Sequence, residues 1–158
     1  VSPDGPMRVA AVHVAPERGA PMRAVEQVEA FAGQGLAGDR YLGTRHRHVT
    51  VQSRTELDAA AEALGAPVEP GRTRRNITVD RGAIPTEPGT RIVVGGPDGV
   101  LLEVVRRAAP CRVMETAVGP GARRALHDRG GAVCRVLTSG TIAPGDPVTV
   151  ARTGITRS

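Results

Sequence analysis

The chain has 158 residues, of which 40% are hydrophobic but only 1% aromatic, and its net charge of +5 comes from basic residues that are all arginine. That length suits one domain, residues 1–158 with a core of about 8–150, that needs neither metal nor disulfide staples. With almost no rings to stack on bases and no basic recognition helix, nucleic acid is not an expected partner. No stretch reaches membrane-spanning length, and two cysteines make no disulfide framework, so a cytoplasmic protein with free thiols and no membrane partner is expected.

Residues 1–6 and 153–158 read as frayed ends. Between them, residues 7–14 read as a first strand, and residues 24–31 alternate polar and apolar positions as a second strand does. A glycine-rich loop follows at 33–43. Residues 48–53 form a short strand running into a helix over 56–64, with Thr55 expected to cap it and Gly65 to stop it. After a Pro/Gly/Arg loop, strands are expected over 76–79, 90–94 and 100–107, the last two joined by the hairpin loop Gly95-Gly96-Pro97-Asp98-Gly99. A second helix is expected between Gly121 and Asp128, ended by Gly130-Gly131. Strands over 132–138 and 147–152, with a tight turn at 142–146, close the chain. Seven or eight short strands with a few short helices predict a mainly β fold, a closed barrel of about seven strands, and not a doubly wound sheet.

Few segments carry chemistry. Cys111 follows an apolar strand in Arg106-Arg107-Ala108-Ala109-Pro110-Cys111-Arg112. Pro110 suits the first position of a helix, which would place Cys111 in a first turn where dipole and guanidinium groups favour the thiolate. A thiolate serves a nucleophile, a persulfide carrier or a soft-metal ligand; the plainer reading is a small half-buried side chain. Arg72-Thr73-Arg74-Arg75-Asn76 either forks onto a phosphate or is a solvated basic loop. Gly33-Gln34-Gly35-Leu36-Ala37-Gly38 matches the dinucleotide pattern G-x-G-x-x-G but leads into a turn, so the helix that would meet pyrophosphate is missing. His46 and His48 make half a metal site with nothing to complete it. Cys134 reads as core packing, unless the barrel brings it close enough to Cys111 for a redox pair.

In this order, the segments Gly35-Leu36-Ala37-Gly38-Asp39-Arg40, Val49-Thr50-Val51-Gln52-Ser53, Arg74-Arg75-Asn76-Ile77-Thr78-Val79, Pro110-Cys111, Gly130-Gly131-Ala132-Val133 and Gly140-Thr141-Ile142-Ala143-Pro144-Gly145-Asp146 resemble a stand-alone bacterial-type MOSC domain, the module named for the C-terminal domain of molybdenum-cofactor sulfurases. The resemblance implies a closed β-barrel that binds molybdenum cofactor (molybdopterin) and a functional cysteine at Cys111. It also implies that Arg40, Arg75, Asn76 and Arg112 hold the cofactor. Molybdenum prefers thiolate, and cysteine must be deprotonated to bind it.

Three functions follow as expectations. In the first, Cys111 ligates molybdenum and a small N-oxygenated or related substrate is reduced, electrons coming from a separate donor protein. In the second, a metal-free Cys111 carries persulfide sulfur from a separate sulfur donor, or makes and breaks C–S bonds. In the third, the barrel is a non-enzymatic anion binder.

Overall fold

A computed structural model of the protein describes residues 6–96, 98–109, 118–127 and 129–151. Its strands are β1 (Met7–Val14), β2 (Arg23–Val25), β3 (Val28–Phe31), β4 (Gly35–Leu36), β5 (Val49–Ser53), β6 (Ile77–Val79), β7 (Arg91–Val94), β8 (Val100–Arg107), β9 (Ala132–Val136), β10 (Gly140–Ile142) and β11 (Pro147–Ala151). Two helices, α1 (Arg54–Leu64) and α2 (Ala122–Ala125), and a 3₁₀ turn at Pro70–Arg72 complete the described elements.

The main sheet runs β11-β7-β8-β9-β5-β6-β1 and closes on itself where Met7 and Arg8 of β1 pair with Val148 and Pro147 of β11. Seven strands thus form a barrel, as expected, and β2 hangs on β1 outside the ring. Closure removes the free sheet edge where β1 and β11 meet. Neighbours pair antiparallel except β5 and β6, which are parallel. A parallel pair needs a crossover, and α1 supplies it.

Branched aliphatic residues at alternate positions explain both the strands and the interior. Val9, Val12, Val51, Ile77, Val79, Ile92, Leu102, Val104 and Val136 are each at most 2% exposed and belong to one cluster inside the barrel. A second cluster of Leu57, Ala60, Val68, Ala122 and Leu126 seats α1 against α2 beside the barrel. Burying a residue of leucine size in this way contributes about 1.5–3 kcal/mol.

Several boundaries differ from expectation for local reasons. Ser53, not Thr55, caps α1: its Oγ accepts from the Glu56 amide at 3.2 Å, which starts the helix at Arg54. Gly65 does end it, in the left-handed conformation with its amide on Ala61 O at 2.8 Å. The expected strand over 24–31 is two strands, because β2 pairs with β1 while β3 joins β10 and β4 in a separate three-stranded sheet. β4 and β10 are too short to declare themselves in the sequence.

Candidate functional site

Asn76, at the entry to β6, ties three chain segments together. Its Oδ1 accepts from the Thr50 amide at 3.0 Å and from Thr50 Oγ1 at 3.1 Å, and its own amide donates to Thr50 Oγ1 at 2.9 Å. Its Nδ2 donates to His13 O at 3.0 Å and to Asp39 Oδ1 at 3.2 Å. Asp39 in turn accepts from the amides of Ala15 and Tyr41 and pairs with Arg40 at 3.5 Å. Arg40 and Arg47 both lie over one ring, their guanidinium carbons 4.5 and 4.4 Å from the Tyr41 centroid. Both Asn76 and Asp39 are buried. Buried polar groups cost little only when bonded, and here both capacities of the Asn76 amide group are met by protein.

Gln52 builds a neighbouring layer. Its Nε2 donates to Thr78 Oγ1 at 2.9 Å, and its Oε1 accepts from Thr73 Oγ1 at 2.7 Å. This fixes the turn that precedes Arg74, which is the one non-glycine among the described residues with positive φ (65°). Arg74 donates to Ala20 O.

Arg75, only 2% exposed, reaches the other way. Its Nε donates to Gly130 O and its Nη2 to Ala109 O, each at 3.0 Å. Nearby the Ala108 amide donates to Gly131 O at 2.9 Å. Gly131 sits against β5 with φ 85°; a Cβ there would fall 1.8 Å from Val51 O, so only glycine fits. The glycine pair therefore brings the chain after α2 within reach of both β5 and Arg75.

Beyond this neck opens a cleft of about 750 Å³ lined by Arg107, Ala109, Arg123, Arg124, Ala125, His127 and Arg129. Strand β8 and the residues after it deliver Arg107 and Ala109, and α2 with the residues around it delivers the rest. Arg129 donates to Ala125 O at 3.2 Å, which holds it along the wall. Guanidinium groups so placed suit phosphate or carboxylate, through charge-assisted and bidentate bonds. Arg123, Arg124, Arg129 and His127 are cleft residues that the sequence did not single out as binders. Their signal was the density of arginine on both sides of Cys111, read only for the residues adjacent to it.

A smaller hollow of about 340 Å³ lies between Gly33, Gly43 and Thr44 on one side and His48 and Arg135 on the other. The dinucleotide-like loop thus lines a hollow, but it passes through β4 into turns and opens no helix. His48 is buried, its Nε2 on Thr44 O at 2.8 Å and its Nδ1 accepting from the Val136 amide at 2.9 Å. That pattern requires neutral imidazole, and burial holds the His48 pKa below the usual value.

Of the expected site residues, Arg40 and Asn76 come together through Asp39, while Arg75 joins the neck below the arginine cleft. Cys111 and Arg112 lie outside the described residues, two and three positions beyond Ala109. Cys134 is wholly buried on β9, and burial pushes its thiol pKa up to about 12. It is core packing, as read from the sequence. Among the described residues there is no group of three or more metal-ligating side chains, and no helix is long and apolar enough to cross a membrane.

The fold has solved counterparts. YuaD from Bacillus subtilis superposes with a TM-score of 0.79 at 20% identity, over 92% of this chain and 96% of its own. YiiM from Geobacillus stearothermophilus gives 0.74 at 20% identity, over 95% and 77%. YiiM from Escherichia coli gives 0.66 at 17% identity, over 97% and 72%. No curated protein sequence matches the chain. The model of one family, the MOSC domain, matches residues 38–149, well over half of the sequence, and with that match the chain belongs to the MOSC domain family.

Proposed function

We propose that the protein binds molybdenum cofactor beside the arginine cleft, with the Cys111 thiolate as ligand to the metal, and reduces a small N-oxygenated substrate. The observation that carries the reading is the cleft itself: four arginines and His127 line about 750 Å³ next to Ala109, two residues before Cys111. The donor set fits the anionic end of such a group. A volume in this range also accommodates a cofactor-sized ligand, typical sites spanning about 300–1,000 Å³.

When bound, the cofactor supplies two-electron oxygen-atom transfer, by which the N–O bond breaks, two electrons and two protons are consumed, and water leaves. A separate donor protein provides the electrons in this reading. The chain's own contribution is to bind and orient. Arg107, Arg123, Arg124 and Arg129, with Arg112, hold the anionic group, and their positive charge favours the thiolate of Cys111 over the thiol. Arg40, Arg75 and Asn76 enter this proposal as the residues that hold the surrounding walls, since their described bonds run to protein groups.

The test is elemental and pterin analysis of protein produced in a host that makes the cofactor, wild type beside Cys111→Ser. Near-stoichiometric molybdenum and pterin in wild type, with molybdenum lost in the variant, is the expected result. Absence of molybdenum from both overturns the reading. Cyanide-releasable sulfur on Cys111 would then support the sulfur-carrier reading.

A further inference from the structure

Twenty residues separate Ala109 from Gly130 in sequence, including Cys111 and most of the cleft arginines. Both ends of that excursion meet at one side chain. Arg75 is buried at the mouth of β6 and donates to Ala109 O from Nη2 and to Gly130 O from Nε, each at 3.0 Å. We propose that Arg75 is a clasp: its planar guanidinium locks the two roots of the Cys111-bearing excursion together and so positions the cleft, without itself touching the ligand.

Three observations converge on this. A guanidinium presents several N–H groups in a rigid fork, whereas a lysine ammonium is a compact point on a flexible stem, so one arginine can hold two carbonyls in a fixed relation. The two carbonyls come from the segments that flank the cleft, and Ala109 is itself part of its lining. The neck is also fitted around the side chain: a Cβ on Gly130 would lie 2.8 Å from Ala108 O and 3.4 Å from Arg75 Nη2. Ala108 to Gly131, at 2.9 Å, is the backbone bond that the clasp flanks. Arg75 thus acts through the backbone of Ala109 and Gly130 and is a positioning residue. That the positioned group is Cys111 in a catalytic role rests on the function proposed above; the clasp itself does not.

The experiment is peptide-level hydrogen exchange on wild type, Arg75→Lys and Gly130→Ala, together with the rate of Cys111 alkylation by iodoacetamide at one pH. Arg75→Lys keeps charge and reach but loses the fork, and Gly130→Ala wedges the neck while leaving the guanidinium in place. Both are expected to speed exchange at least tenfold in peptides covering 106–109 and 129–133, leaving β1, β7 and β11 unchanged, and to change the alkylation rate severalfold. A general structural role would raise exchange throughout the barrel. Uniform exchange, unchanged neck peptides, or failure of both variants to fold overturns the clasp. Absence of molybdenum from wild type would overturn the proposed function and leave this exchange pattern standing.

Discussion

Two arginine-bearing regions of this barrel are built on opposite principles. Around Asn76, the polar groups of Thr50, Asp39 and Arg40 are bonded to one another or to backbone, and Asp39 and Asn76 are sealed from solvent. In the cleft, Arg123 and Arg124 are exposed and line open space. The first region spends its hydrogen bonds on holding β5, β6 and the loop before β5 in register. The second keeps its cations where an anion can reach them. Residues that look like a ligand-binding motif in sequence can therefore be the frame of a site, with the binding face supplied by less conspicuous neighbours.

The comparison breaks most visibly at Asn76. Asn76→Ala strands the Thr50 amide and takes one donor from His13 O and one from Asp39, which keeps the Ala15 and Tyr41 amides; each buried orphan costs about 1–3 kcal/mol. We expect a loss of about 2–4 kcal/mol in denaturant unfolding, rising with the number of groups left unpaired. A loss below about 0.5 kcal/mol, the range of an ordinary surface change, would mean that the network is not the frame described.

The cleft should behave in the reverse way. Arg123→Ala with Arg124→Ala is expected to leave stability within about 0.5 kcal/mol. Affinity for inorganic pyrophosphate, read by calorimetry, should fall about tenfold or more, equivalent to 1.4 kcal/mol. The effect should also shrink as salt rises, because exposed charges are screened. Unchanged affinity would remove these two residues from any anion site.

The smallest effect sharpens the contrast from the buried side. His48 is held neutral, so its folded-state pKa lies below the unfolded value of about 6.5. Below that unfolded value the unfolded chain binds a proton that the folded one resists, so stability must fall as pH drops from about 6.5 toward the lowered folded value. Protonation would also remove the acceptor that Nδ1 offers the Val136 amide. Replacing His48 by Gln should flatten that acid limb in unfolding curves measured from neutral to mildly acid pH. An unchanged limb would place the responsible proton elsewhere.

Much of the fold was legible because its signals are local. Val-rich, strand-like runs mark β1 and β8, turn residues mark the β7–β8 hairpin, and Gly65 marks the end of α1. β4 and β10, two and three residues long, carry too little pattern to be seen and exist because partners across the sheet complete them. The helix cap lies two residues before the expected one because Ser53 and Thr55 are both competent caps, and only the path of β5 into α1 selects Ser53. In the site, charge density points to an anion near Cys111, but residue order alone does not tell a guanidinium that faces a ligand from one that faces a carbonyl.

What the sequence determined by itself was therefore composition-driven: an aliphatic barrel, a density of arginine around Cys111, and glycines that punctuate the strands and end the helices. What the tertiary structure decided was direction. Arg75 and Asn76 are adjacent in the chain, yet one clasps Ala109 and Gly130 while the other binds Thr50, His13 and Asp39. Successive side chains point to opposite faces as the chain enters a strand, and which face meets which segment is set only when the barrel closes.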